Sequence, residues 1–328
     1  LITLLILTYL WYTRGKDPRS TRATVIPEYE APENLRPSEV GTLIDESVDT
    51  RDITSTIIDL AVRGYLVITE KKEKKLLFES LTYELEKTTP KSEDLNEYEL
   101  IIYNGIFESG EKVKLDDLKN EFYTKIPKIK TSIYDRLTKA GYFSSNPEKV
   151  RGKYIGFASI LFFGSFFSFG FFATSISIGV ILSAAIITGF SFIMPSKTQK
   201  GVDTYMRILG LEEFIKTAEK DRLKFYEKEN IFEKLLPYAM ALNLADKWTK
   251  ACKDLYKTPP NWYRSSNPDF INSFNTYTFL NNIDHFNNSL GTSINTAPRS
   301  AAAGGSSGFS GGGGFSGGGF GGGGSGGW

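Results

Sequence analysis

The stretch from Tyr154 to Met194, YIGFASILFFGSFFSFGFFATSISIGVILSAAIITGFSFIM, holds 41 residues without one charged side chain. As one continuous helix it would run about 60 Å, twice the roughly 30 Å hydrocarbon core of a bilayer. Two helices joined by a tight turn fit instead, roughly 154–172 and 176–194, with Ala173, Thr174, Ser175 and Ser177 near the bend. Arg151 and Lys153 precede the run, and Lys197 and Lys200 follow it. A hairpin returns to the side it left, so both basic flanks fall in the cytoplasm. Ser175, Gly179 and Ser183, and Gly164 with Ser168, keep a four-residue spacing that lets helices approach closely. Transmembrane helices also tolerate Gly and Ser without such contact. The absence of ionisable groups at depth argues against a transport or proton pathway.

Outward from this hairpin, Leu1 to Tyr12 is apolar but too short to span alone. It begins in mid-run without Met and reads as a transmembrane helix cut short. A signal-peptide core has similar length. No small-residue cleavage motif follows, however; Arg14, Lys16, Arg19 and Arg22 do, and they place this end of the helix in the cytoplasm. Three spans then leave residues 13–153 and 195–328 inside.

The segment 14–153 carries 24 basic and 26 acidic residues. Gly15 to Pro37 is extended, broken by Pro18, Pro27, Pro32 and Pro37, with Thr24-Val25-Ile26 as a short strand. Ser38 reads as the cap of a short helix ending near Asp45, and Asp52 as the cap of a second, whose apolar stripe is Ile53, Ile57, Leu60 and Ala61. Gly64 closes it. Leu66–Thr69 and Leu76–Leu85 form a β-hairpin across a turn at Lys71-Lys72-Glu73-Lys74-Lys75. Helix, helix, hairpin is the order of a winged helix. A weaker copy follows: helical Tyr98–Phe107, extended Lys112–Leu115, then helical Asp116–Phe122 and Ile129–Ala140 closed by Gly141.

Such units often read DNA, through exposed basic and amide groups on a recognition helix. The first candidate helix offers Asp52, Ser55, Asp59 and Arg63, which is nearly neutral. The second offers Lys128, Lys130, Arg136 and Lys139, interrupted by Asp135. The lysines at 71–75 suit a solvated hairpin tip or an anionic phosphate. The balance argues against nucleic acid as a partner.

Beyond the hairpin, Gly201 to Tyr256 reads as helical, with Ile208, Leu211, Ile215, Ala218 and Phe225 on one face. Pro237 opens or kinks a second helix carrying Ala239, Met240 and Leu244 toward Trp248. Glu212, Glu213, Glu219 and Asp221 each have a basic neighbour in Lys216, Lys220, Arg222 or Lys224, so a salt-bridged surface outranks a carboxylate pair for hydrolysis. Trp262 and Tyr263 suit a membrane interface or the closure of the helical unit. Phe270, Phe274, Tyr277, Leu280, Ile283 and Phe286 have the loose spacing of an amphipathic helix lying against the membrane. Residues 304–328 contain 16 Gly in 25, too many for a packed core, with Phe309, Phe315, Phe320 and Trp328 as the aromatics of an inert spacer or a weak multivalent contact segment.

The whole chain excludes further classes. Its net charge of +1 suits neither a globally basic nucleic-acid binder nor an acidic tail protein. One cysteine, Cys252, permits no internal disulfide or thiolate cluster, and one histidine, His285, no multi-histidine metal site. No catalytic residue, cofactor site or metal ligand is assigned.

Several stretches together resemble one family. They are Thr24-Val25-Ile26-Pro27-Glu28-Tyr29-Glu30-Ala31-Pro32, Pro37-Ser38-Glu39-Val40-Gly41, the run from Arg51 to Leu66, Leu209-Gly210-Leu211-Glu212-Glu213-Phe214, Ala218–Leu223, Phe232–Leu242 and the glycine-rich end. The chain resembles the C-terminal part of the YciQ-like predicted membrane proteins of bacteria, domain of unknown function 2207. The resemblance implies a signal peptide and an extracytoplasmic β-domain before Leu1, and no established activity or catalytic motif.

The expected fold class is a membrane protein, mainly α with a small β-hairpin. It comprises three transmembrane helices (one truncated, two in a helical hairpin), cytoplasmic winged-helix-like α+β units and a disordered Gly-rich tail. The divisions are 1–13, truncated helix; 14–37, extended linker; 38–153, winged-helix-like domain of one or two units; 154–194, membrane hairpin; 195–263, helical domain; 264–303, Asn/Ser-rich segment; and 304–328, tail. The expected function is a non-enzymatic adaptor or scaffold of the bacterial inner membrane, linking envelope and cytoplasm. A membrane-tethered winged-helix transcription regulator ranks second and a hydrolase built on Glu219 and Asp221 last. Expected partners are the lipid bilayer, cytoplasmic proteins and further copies of the chain.

Overall fold

Two adjacent helices, both capped within the sequence Arg36 to Asp52, seed the architecture. The computed structural model describes residues 1–75, 78–88, 95–168, 174–218, 231–252, 258–267, 270 and 274–298. The bend near 173, the carboxylates Glu219 and Asp221, and the glycine-rich tail therefore lie outside the described residues. Helix α2 (Pro37–Asp45), which follows α1 (Ile2–Leu10), starts with Pro37, whose missing N–H costs nothing in a first turn. Arg36, not Ser38, is its cap residue: the Arg36 N–H donates to Glu39 at 2.9 Å, and Ser38 is buried in the first turn. Helix α3 (Thr50–Val62) is capped by Asp49, three residues before the expected Asp52. The Asp49 carboxylate accepts from the Arg51 N–H at 2.8 Å while Asp52 accepts from the Asp49 N–H at 2.9 Å, so the pair caps reciprocally. The stripe of Ile53, Ile57, Leu60 and Ala61 is buried as read. Gly64 and Gly141 end their helices at φ +82° and +80°, a backbone that side chains disfavour.

The hairpin forms with a longer reach than expected. Strands β1 (Leu66–Lys75) and β2 (Phe78–Lys87) pair antiparallel from Leu66↔Lys87 to Lys75↔Phe78, so Lys71–Lys75 is strand and not turn. The next helix, α4 (Glu97–Ile106), leads to β3 (Lys112–Lys114), which joins the free edge of β2. A fourth strand, β4 (Tyr263–Ser265), pairs parallel with β1 and gives the order β3-β2-β1-β4. The expected strand at Thr24–Ile26 does not form. That segment crosses helix α8 (Gln199–Lys216), which offers no ladder: a Cβ on Gly210 would stand 2.1 Å from the Ile26 carbonyl oxygen.

Eleven α-helices are present among the described residues. Besides those named they are α5 (Ile126–Lys139), α6 (Pro147–Ser168), α7 (Thr174–Ser191), α9 (Ile231–Ala241), α10 (Ala245–Cys252) and α11 (Thr276–Asn295). Residues 116–122, expected as a helix, form a short 3-10 turn at Leu115–Leu118 instead. Pro237 lies inside α9 and does not open it. Leu1–Thr296 form one compact unit, and its main core runs from Leu35 to Ile294, drawing on segments 38–153, 195–263 and 264–303 alike.

Helix α11 corrects the membrane-surface expectation. Its apolar face is Phe279, Ile283, Phe286, Leu290 and Ile294, all at most 2% exposed, and it packs on the sheet, with the Phe286 ring 5.3 Å from that of Tyr83. Trp262 and Tyr263 are buried beside it. Lipid would find this face already covered.

The apolar helices form a second, smaller cluster of Leu7, Ala158, Ala184, Ile187 and Met194. The Thr3 and Ser183 hydroxyls meet at 2.9 Å between α1 and α7. No helix among the described residues is long and apolar enough to cross a membrane, so the three expected spans are not met by any one of them. The lengths explain why. Helix α1 has nine residues, α6 spends its first turns on Glu148, Lys149, Arg151 and Lys153, and α7 has 18 residues with six Ser or Thr. Their outer faces are apolar all the same: Leu5, Ile160, Phe163, Phe166, Ile178 and Leu182 are each more than half exposed. A Cβ added at Gly164 or Gly179 would meet nothing within 4 Å, so these small residues mark no tight helix contact.

Candidate coupling site at the foot of the apolar helices

Three chain segments leave the apolar cluster and meet the main core around Glu46 and Lys197. Glu46 follows the last turn of α2 in the left-handed conformation, φ +61°, with its N–H on the Thr42 carbonyl at 2.8 Å. Its carboxylate pairs with Lys197, just beyond α7, and with Arg151 on α6 at 3.7 Å. Its carbonyl also accepts from Arg151 at 2.8 Å. Asp17, two residues past the π-helical turn Trp11–Gly15 that follows α1, accepts from the Lys197 N–H at 2.7 Å and stands 3.9 Å from its ammonium. Lys197 is only 7% exposed and lies over the Tyr205 ring at 5.1 Å. An ammonium so enclosed needs its carboxylates, because an unpaired charge there would be strongly penalised.

Further hydrogen bonds to the backbone reinforce the joint. The Ser144 N–H donates to the Ser196 carbonyl at 3.1 Å, and the Ser196 hydroxyl to the Arg14 carbonyl at 3.1 Å. Thr198 caps α8 by accepting from the Gly201 N–H at 3.1 Å, and its own N–H reaches the Tyr142 carbonyl at 3.0 Å. At Gly201 a Cβ would stand 2.0 Å from that same carbonyl oxygen, so only glycine lets α8 start there.

A second charged network sits inside the core. Glu39, Asp59 and Glu99 are buried and face Arg36, Arg63 and Arg136. The Tyr98 hydroxyl donates to Glu39 at 3.2 Å. Burial pushes the Asp59 carboxyl up to about 6 although Arg63, 2.8 Å away, pulls it down. Three carboxylates against three guanidinium groups make a balanced structural lattice that ties α2, α3, α4 and α5 together.

These arrangements absorb most of the residues considered for nucleic acid. Asp52, Ser55 and Asp59 are buried, so α3 has no exposed polar face there to enter a groove. On α5, Arg136 is committed to Glu39 and Asp135 to Asn146 and Lys149, while Lys128 and Lys139 are exposed and Lys130 half-buried. The four weak candidates thus share a helix without forming an unbroken basic surface.

Glu70 was missed, although strand alternation after Leu66 and Ile68 places it on the inward face. It is 3% exposed and accepts from the Tyr263 hydroxyl, the Asn282 amide and, at 3.3 Å, the Ser265 hydroxyl, beside a cavity of about 350 Å³. Burial and the neighbouring Glu70 charge raise the Tyr83 phenol above its ordinary range. Cys252 is buried, and burial pushes its thiol up to about 12, away from the thiolate form that reacts as a nucleophile. Among the described residues no group of three His, Cys, Asp or Glu side chains is placed to hold a metal ion.

Comparison with protein families places this architecture. The family described as predicted membrane protein (DUF2207), C-terminal domain, matches residues 25–252. The chain belongs to the DUF2207 family. Within that match fall α2 to α10, both ends of the α6–α7 pair and Glu46, Arg151 and Lys197. No curated protein and no solved structure matches the chain. The DUF2207 domain is thus an uncharacterised part of a predicted membrane protein family.

Proposed function

We propose that this DUF2207 domain is a non-enzymatic adaptor of the bacterial inner membrane, with α1, α6 and α7 seated in the bilayer and the α+β core in the cytoplasm. The observation that carries the reading is Glu46: one carboxylate on a core helix holds cations from both feet of the apolar pair. A displacement of α6 or α7 along the membrane normal is thereby passed to α2, which packs on α3, α5 and α8. The exposed apolar belt supports lipid as the surrounding of these helices, and Arg14, Arg151, Lys153, Lys197 and Lys200 at one end support its orientation. The helix–helix–hairpin of α2, α3, β1 and β2 supports a winged-helix-like unit used for protein contact.

Single-cysteine labelling tests the placement, and Cys252 need not be removed because it is 1% exposed. In intact cells an impermeant maleimide should label Ile176→Cys at the bend and spare Lys72→Cys until the membrane is opened. Labelling of both positions from outside overturns the topology. A photo-crosslinker at Leu100, exposed on α4, should recover the same discrete proteins in repeated preparations. Recovery of none overturns the adaptor reading.

A further inference from the structure

The cations at the foot of the apolar helices divide into two sets. Arg151 and Lys197 are both held by Glu46. Arg14 and Lys153 have no side-chain partner among the described residues and stand at one end of a cavity of about 890 Å³ between α1, α6 and α7. Thr3 and Leu7 of α1, Phe157 and Leu161 of α6, and Gly179 and Ile187 of α7 wall the rest. The volume is at the upper end of small-molecule sites, about 300–1,000 Å³. Thr3 and Arg14 lie eleven positions apart on α1 and the π-helical turn Trp11–Gly15 that follows it, so the cavity runs roughly 15 Å along them. That matches one leaflet, half of the roughly 30 Å hydrocarbon core.

We propose that this cavity holds an anionic phospholipid of the cytoplasmic leaflet, its phosphate at Arg14 and Lys153 and an acyl chain along the apolar wall. Charge complementarity selects the occupant: two unpaired cations at the mouth of a leaflet-deep apolar slot fit an amphiphile with one charged end. The assignment rests on the membrane placement proposed above. It makes the coupling site responsive to lipid, because Ser196, which lines the same cavity, is adjacent to Lys197 and bonded to the Arg14 carbonyl.

The test uses the full chain in phosphatidylcholine vesicles that contain either brominated phosphatidylglycerol or brominated phosphatidylcholine. Trp11 packs against the cluster that walls the cavity, and its quenching is the signal lost in a Trp11→Phe chain. Brominated phosphatidylglycerol should quench Trp11 at a lower mole fraction than brominated phosphatidylcholine. Arg14→Gln with Lys153→Gln should erase the preference, by roughly fivefold for each cation, the factor for about 1 kcal/mol per basic residue near an anionic surface. Arg14→Lys with Lys153→Arg should retain it. Gly179→Leu, whose side chain enters open space, should fill the slot and weaken quenching by the anionic lipid. Equal quenching by both lipids in the unaltered chain overturns the proposal while leaving the membrane placement intact. Loss of the preference in excess inorganic phosphate overturns it in favour of a free-phosphate site. Quenching by neither lipid overturns both readings together.

Discussion

Changing Glu46 to Gln should uncouple the apolar helices from the core more than any other single charge removal. The substitution keeps shape and removes one negative charge between Lys197 and Arg151, which are 7% and 17% exposed at their side chains. Breaking a buried ion pair from one side costs about 3–5 kcal/mol. Two features reduce that here. Asp17 stays 3.9 Å from the Lys197 ammonium, and Arg151 keeps its 2.8 Å bond to the Glu46 carbonyl, which the substitution does not touch. A loss of about 2 kcal/mol is expected. Lys197→Met alone leaves Glu46 with Arg151 and forfeits the contact with the Tyr205 ring, again about 2 kcal/mol. In the double variant neither charge is stranded, so its loss should stay near 2 kcal/mol and not the sum, a coupling of roughly 1.5–2 kcal/mol. Denaturant unfolding of the chain in micelles, followed by the buried Trp248 and Trp262, measures all three variants on one scale. Strict additivity, within about 0.5 kcal/mol, would refute the claim that Glu46 and Lys197 form one joint.

Three further outcomes follow from the geometry. Gly201→Ala should cost about 2–4 kcal/mol, because its Cβ meets the Tyr142 carbonyl at 2.0 Å and backbone must shift; a midpoint shift in the same unfolding assay reads it. Burial raises Asp59 from 3.8 to about 6, so the folded state binds its proton more tightly than the unfolded chain. Stability from this group is complete below about pH 3.8 and lost as pH rises through about 6, a decline of up to about 3 kcal/mol that Asp59→Asn should remove from the pH profile. Phe286→Ala should destabilise the core by about 3–5 kcal/mol while leaving vesicle association unchanged, since α11 faces the sheet; reduced association at full stability would return that helix to the membrane surface.

Periodicity and glycine carried much of the fold. Gly64 and Gly141 stop their helices because each takes a positive φ, and the stripe Ile53, Ile57, Leu60, Ala61 was legible from its spacing. The caps were ambiguous for a local reason: Asp45, Ser47, Asp49, Thr50 and Asp52 are all capping types within eight residues. Only the reciprocal bonding of Asp49 and Asp52 picks one. The α11 stripe shows a different limit. An amphipathic pattern says that one face is covered, but lipid and a β-sheet make the same demand on it. Its cover includes Tyr83, far earlier in the chain, a separation over which local patterning is silent. Strand β4, three residues long, was too short to alternate visibly.

The candidate site was half legible, and the missing half is an acid. Arg14, Arg151, Lys153, Lys197 and Lys200 are visible as basic flanks, and an orientation argument counts them as equals. The fold sorts them. Arg151 and Lys197 go to Glu46, Lys200 goes to Glu33 at 3.1 Å, and Arg14 and Lys153 keep their charge for the cavity mouth. Nothing near Glu46 in sequence distinguishes it from 25 other acidic residues of segment 14–153; its partners lie 105 and 151 positions away. The sorting has a functional consequence that a count of charges hides. Neutralised cations can be drawn inward and made rigid, as the 7% exposure of Lys197 requires, whereas unpaired ones remain available to an anion. A joint that must hold while its neighbouring cavity exchanges an anionic lipid needs both kinds within a few residues of each other. The alternation of Arg151 with Lys153 along the first turns of α6 supplies them.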